Sequence, residues 1–270
     1  MSDFRWFFFA ACRLCRLGAV LVLALAANAA HAAPPVVAAA SDLQFALEKL
    51  AADFAANGGE PLRLVFGSSG NFVHQITEGA PFELFFSADE AFVRTLEKAG
   101  LTDGAGEIYG VGRLALLLPP GSDLPADPAL DGLATALAEG RLSRLAIANP
   151  AHAPYGQRAE EALRQRGLWG PLSTGKHLVM GENVAQAAQF VLEGGADAGL
   201  VAWSLVRAPA LAGRGRHALV PANFHAPLIQ RMVLLRGAGA TARAFYAYIQ
   251  QPPARAVLES FGFTLPASNP

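Results

Sequence analysis

Apolar positions along this chain alternate between two rhythms. Short runs rich in apolar residues, Val36-Val37-Ala38-Ala39, Leu62-Arg63-Leu64-Val65-Phe66 and Phe82-Glu83-Leu84-Phe85-Phe86, read as strands. Between the first two, Leu43, Ala46, Leu47, Leu50, Ala51 and Phe54 recur at offsets of three and four, the period of a helix that stops at Asn57-Gly58-Gly59. A short helix is predicted over 71–78, closed by Gly79. Ser87 is expected to cap a helix through Ala99, with Glu90 completing a capping box and Gly100 as the stop.

The strand–helix alternation predicts an α/β fold, with a mainly parallel sheet covered on both faces. A strand over 111–118 ends in Pro119-Pro120-Gly121, which reads as a crossing into a second lobe. There the pattern repeats. A strand over 144–148 precedes a helix opened by Pro154-Tyr155-Gly156. Another helix opens at Glu182-Asn183-Val184, with Ala187, Ala188, Val191 and Leu192 inward, and Gly199-Leu200-Val201-Ala202-Trp203 follows as a strand. The chain then returns through a strand over 232–235 and helices over 241–249 and 253–261. Two lobes are expected, lobe I from 33–112 plus 228–270 and lobe II from 113–227, closing on a ligand held in the cleft between them.

Composition changes this picture at one end. Of 270 residues 53% are hydrophobic and 16% charged, and part of that excess lies at the N-terminus. Arg5, Arg13 and Arg16 precede the apolar run 17–27, and Ala30-His31-Ala32 follows with small residues where a signal peptidase reads. The run is shorter than a membrane span needs, so residues 1–32 are expected to be a cleaved secretory signal and the mature chain to be periplasmic. Cys12 and Cys15 both fall inside that signal, which leaves no disulfide or thiolate chemistry in the mature chain. Removing 1–32 takes away three arginines and Asp3, leaving 18 basic and 21 acidic residues, a net of −3. Such a balance, with basic residues scattered, gives no footprint for nucleic acid.

The candidate chemistry lies at helix heads. Ser41, in Ala40-Ser41-Asp42, and Ser69, in Gly67-Ser68-Ser69-Gly70, each stand between a strand and a helix, where ligands of such folds bind. A helix N-terminus offers unpaired N–H groups and the positive end of the macrodipole, so two converging on a cleft make an anion site. Ser41 with Gln44 also fits a capping box, and Ser68-Ser69 between glycines also fits a tight turn. Tyr155 and Val184 head the facing helices. Val184 can act only through its backbone N–H, while Tyr155 has a hydroxyl as well. No Lys or Arg lies in these four turns, so the ligand would be bound by neutral donors. Asp42 is the carboxylate placed to accept from a protonated oxyanion, and Ser68 is a further donor.

In the order of its motifs the chain resembles the periplasmic molybdate-binding proteins that feed an ABC importer. The similarity runs through Ala38-Ala39-Ala40-Ser41, Phe66-Gly67-Ser68-Ser69, Gln75-Ile76 and Gly79-Ala80-Pro81. It continues in Glu83-Leu84-Phe85-Phe86-Ser87-Ala88-Asp89 and Asn149-Pro150-Ala151-His152-Ala153-Pro154-Tyr155-Gly156. Glu182-Asn183-Val184, Ala244-Phe245-Tyr246 and Phe261-Gly262-Phe263 complete it. The resemblance implies a two-lobed type II periplasmic binding protein, monomeric, with no cofactor and no enzymatic activity. It implies that molybdate or tungstate is held by Ser41, Ser69, Tyr155 and Val184, the metal being reached only through its oxygens, and delivered to a membrane permease. The chain departs from many members at Ala202, where they carry a tyrosine; Tyr155 matches a subset with its tyrosine at the Pro-Tyr-Gly turn. Glu83 replaces the family's aspartate.

Two other readings stay open at the level of residues. One is a sulfate or phosphate receptor of the same fold. The other is an exported serine hydrolase, although Asn71 stands where a nucleophile elbow needs glycine and no histidine has a recognisable triad setting. The histidines show no metal-ligand spacing.

Overall fold

Ten strands among the described residues form two five-stranded sheets in this computed structural model, which describes residues 33–265. The secretory signal read over 1–32, with its two cysteines, lies outside the described residues. The first sheet has the order β2-β1-β3-β10-β4, with β1 Val36–Ala40, β2 Arg63–Gly67, β3 Phe82–Ser87, β4 Glu107–Gly112 and β10 Leu228–Leu234. The second has the order β7-β6-β8-β5-β9, with β5 Leu114–Leu118, β6 Leu145–Ala148, β7 Leu178–Gly181, β8 Ala198–Ala202 and β9 Arg216–Leu219. In each sheet four strands run one way and one runs against them, β10 in the first and β5 in the second. Those two reversed strands are the ones that follow the crossings between sheets.

Size complementarity builds the first sheet. Ala38 lies beside Val65 and Phe85, and Ala39 beside Phe66 and Phe86, so a strand of alanines is flanked by bulkier neighbours. Alternation then sorts the two faces. Val37 and Ala39 pack with Leu47, Leu50 and Phe54 of α1 (Gln44–Ala56), and with α9 (Ala240–Ile249) and α10 (Pro252–Ser260). Ala38 turns to the other face, against Phe72 of α2 (Ser69–Thr77) and Val93 of α3 (Glu90–Lys98). The second sheet is enclosed in the same manner by α4 (Asp131–Ala138), α5 (Pro154–Gln165), α6 (Trp169–Thr174), α7 (Val184–Leu192) and the single turn α8 (Trp203–Val206). Each fully buried Leu or Phe contributes roughly 1.5–3 kcal/mol.

The structure corrects several local expectations. The strand read over 111–118 is two strands, β4 and β5, broken at Arg113, and the chain changes sheets at that residue. Pro119-Pro120-Gly121 is instead a turn after β5, with Gly121 at φ 76°. Ser87 ends β3, and Asp89 is the residue that caps α3, accepting from the N–H of Ala91 at 2.9 Å. Ser41 forms no capping box with Gln44: it opens a 3-10 turn, Ser41–Leu43, that runs into α1. The elements α4, α6, β7 and β9 were not legible in the pattern. The start of α4 shows why, since it is capped from a distance by Asp127 while Leu130 takes a left-handed φ of 64°.

Candidate functional site

Four chain turns meet over one small cavity. It is lined by Ala40, Ser41, Asp42, Gly67, Ser68, Ser69 and Ala88 on the side of the first sheet, and by Ala153, Pro154, Tyr155, Asn183 and Val184 on the side of the second. The unfilled space, counting the solvent at its mouth, is about 190 Å³, so the site is small. No Lys, Arg or His lines it. A larger groove, about 1010 Å³ counting its open face, adjoins it at Ser41 and Asn183, and its other polar groups are Gln44, Gln186, Gln189, Glu193 and Arg214.

Each turn contributes donors for a definite reason. At α2, Ser68 is the cap, and its Oγ accepts from the N–H of Asn71 at 3.4 Å while its carbonyl takes that of Phe72. The N–H of Gly70 donates across to the carbonyl of His152 at 2.9 Å. A side chain at Gly70 is barred, because a Cβ there would lie 2.6 Å from that carbonyl oxygen. At α7, Asn183 Oδ1 accepts from the N–H groups of Ala185 and Gln186. Among the described residues the backbone N–H groups of Ser69, Tyr155 and Val184 are given no acceptor, and all three residues are buried. Three unclaimed, buried donors at three helix heads require a partner.

Two hydroxyls complete the donor set. Ser69 Oγ accepts from the N–H of Ala88 at 3.0 Å, and Ser41 Oγ accepts from the N–H of Ala185 at 3.2 Å. An oxygen already accepting keeps its own proton to give away, so each serine is set as a donor. Tyr155 differs from its expected use. Its backbone N–H stands at the cavity, but its hydroxyl lies in a buried cluster, accepting from Gln230 Nε2 at 3.3 Å and touching the Asp42 carboxyl. Gln230 Nε2 also donates to Asp42 Oδ2 at 2.7 Å, and Gln230 Oε1 accepts from Tyr109 Oη at 2.7 Å. Burial raises the Asp42 carboxyl to about 6, against the lowering effect of the hydrogen bonds from Gln230 and Tyr155. Burial, and after it the nearby Asp42 charge, lifts both tyrosine hydroxyls far above their ordinary range. Gln230 and Ser204, whose hydroxyl donates to the Asp42 carbonyl at 2.7 Å, were missed in the sequence; nothing in their local pattern marks them.

A second group also escaped sequence reading. His152 Nδ1 and Ser68 Oγ are hydrogen-bonded at 2.9 Å, and His152 Nε2 stands 3.6 Å from Glu182 Oε2. Serine, histidine and carboxylate are thus brought together where no triad was expected. Ser68 Oγ is the helix cap, however, and the three groups come from opposite sides of the seam between the sheets. The arrangement fastens the two sides. Nearby, Arg158 of α5 pairs with Asp89 at 2.8 Å. Ala202 is fully buried at the end of β8, and its side chain offers no donor. Among the described residues no cluster of three or more His, Cys, Asp or Glu could hold a metal ion.

Two α/β halves joined by two crossings, with helix heads converging on a cavity between them, define a solute receptor. The chain belongs to the bacterial extracellular solute-binding protein family, whose model matches residues 35–264. Within that family it is similar to the molybdate-binding protein ModA of Azotobacter vinelandii, 35% identical over 93% of this chain and 98% of that protein. The ModA of Rhodobacter capsulatus is 33% identical over 90% and 92%. The solved structure of the Azotobacter vinelandii periplasmic molybdate-binding protein superposes with a TM-score of 0.78 at 32% identity, covering 86% of this chain and 99% of that one. A sulfate-binding protein, SubI of Mycobacterium tuberculosis, shares the fold at a TM-score of 0.70 with 14% identity, over 87% of this chain and 88% of that one.

Proposed function

We propose that this protein captures molybdate, with tungstate as the equivalent cargo, in the periplasm and hands it to the membrane permease of an ABC importer. The observation that carries this reading is the donor set: unclaimed N–H groups of Ser69, Tyr155 and Val184 and the free protons of Ser41 and Ser69, around a cavity with no cation. Each hydrogen bond to a charged group is worth about 1.5–3 kcal/mol, so five suffice for micromolar binding or better, about −8 kcal/mol and beyond. The ion is touched through its oxygens alone. Lobe I, 33–112 plus 228–270, and lobe II, 113–227, close over it about the crossings, as a monomer. No catalytic step is assigned to these residues, and the Ser68–His152–Glu182 group serves closure.

Calorimetric titration with molybdate, tungstate, sulfate and phosphate tests this reading. One-to-one binding of the first two, with Ser69→Ala weakening it by about tenfold to a hundredfold, is the expected result. Unchanged affinity in Ser69→Ala overturns the site, and binding of sulfate or phosphate in place of molybdate overturns the cargo.

A further inference from the structure

Among the described residues Asp42 is the only charged residue lining the cavity, and its sign is wrong for an anion. It is 1% exposed, and its Oδ1 has no hydrogen-bond partner among the described residues. The backbone N–H groups of Asp42 and Leu43 face this carboxyl, yet Oδ1 completes no hydrogen bond, and a buried oxygen left so is costly, which favours a further donor at this position.

The surroundings provide no compensating charge. The titratable groups facing the carboxyl are Tyr155 of α5 and Tyr109 of β4, both neutral. Helices α7 and α8, which pack against the Ser41–Leu43 turn, contain no charged residue. On α1, Lys49 and Asp53 pair with each other near the surface and Glu48 is exposed. Gln230 turns Nε2 towards Asp42 Oδ2 and Tyr155 and Oε1 towards Tyr109 Oη, whose single proton also lies 3.1 Å from the carbonyl of Ser87. A dianion set beside an ionised Asp42 would meet like charge in dry, low-dielectric surroundings, where repulsion is strongest.

Resting on the oxyanion reading above, we propose that the site binds its anion together with one proton, held between the anion and Oδ1 of Asp42. Asp42 is thereby the residue that sets the pH range of capture. One proton removes the repulsion and gives Oδ1 its missing partner in the same step. Burial already raises this carboxyl to about 6 without the anion, and a neighbouring dianion moves it further in the same direction.

The test is calorimetry of the purified protein with molybdate, in pairs of buffers that differ in ionisation enthalpy, from about pH 6 to about pH 8.5. Near pH 8 the expected result is uptake of about one proton per anion, with affinity falling by up to tenfold per pH unit above about pH 6. Asp42→Asn keeps an acceptor for Gln230 and offers an amide N–H where Oδ1 had no partner. It should abolish the uptake, flatten the pH profile and bind molybdate about tenfold to a hundredfold more tightly than the parent near pH 8. Zero uptake with a flat profile in the unmodified protein overturns the proposal, and needs no variant. Uptake that survives in Asp42→Asn also overturns it, and places the proton elsewhere, for example on His152. If molybdate gives no heat at any pH, the cargo is overturned, and the proton count is then read on sulfate or phosphate.

Discussion

Two sets of contacts join the halves of this molecule, and they are built from opposite materials. At the seam, Ser68–His152, Asn71–Glu182 and Asp89–Arg158 link side chains that are mostly partly exposed. In the interior, Asp42, Gln230, Tyr155, Tyr109 and Ser204 form a network that is 4% exposed or less at every member. Water can replace each bond of the seam when it opens, so the net cost of parting is small. It cannot reach the interior network without exposing groups that were desolvated on folding. The difference is one of material: the seam is wet and its bonds replaceable, and the network is dry.

Breaking the network should therefore cost stability, and breaking the seam should cost retention of ligand. The largest effect is expected for Gln230→Leu, which strips Asp42 Oδ2 and the Tyr155 hydroxyl of their donor and leaves Tyr109 only the Ser87 carbonyl as acceptor. A loss of about 3 kcal/mol in urea unfolding, with the slope unchanged, is the expected outcome. Next comes the pH dependence of Asp42. Its ordinary value is 3.8 and its folded value about 6, so its burial carries no penalty below about pH 4 and the full penalty above about pH 6. The ligand-free protein should lose about 3 kcal/mol of stability, relative to Asp42→Asn, as the pH rises through that window. Parallel stability curves for the two proteins across it would remove the basis for calling this carboxyl perturbed. The smallest effect is expected at the seam. His152→Ala should leave unfolding nearly unchanged, yet weaken molybdate binding roughly two- to tenfold through faster release, seen by stopped-flow. Equal losses of stability in His152→Ala and Gln230→Leu would erase the distinction between the two regions.

The fold was largely legible because its strongest signals are local. The period of α1 and the alanine and phenylalanine runs of β1 and β3 define elements without reference to distant residues. The same holds for the helix heads, since Ser41, Ser69, Tyr155 and Val184 each sit where a strand gives way to a helix. What escaped depends on partners far apart in sequence. Gln230 meets Asp42 across 188 positions and Ser68 meets His152 across 84, and no spacing rule reaches that far. The direction of the Tyr155 hydroxyl is not legible for the same reason, since Gln230 lies 75 positions away. At Arg113 one charged residue separates two apolar stretches, and a single polar position does not by itself mark a change of sheet.

Gly112 stands at that crossing, the last residue of β4. A Cβ added to it would lie 2.4 Å from both Gln230 Nε2 and Tyr155 Oη. For anyone seeking a hardier version of this receptor, the familiar recipe of exchanging glycine for alanine to restrain the unfolded chain has a forbidden address here. The bare backbone at Gly112 is the slot into which the interior network is fitted, so the position where the chain passes from one half to the other has no room for a side chain.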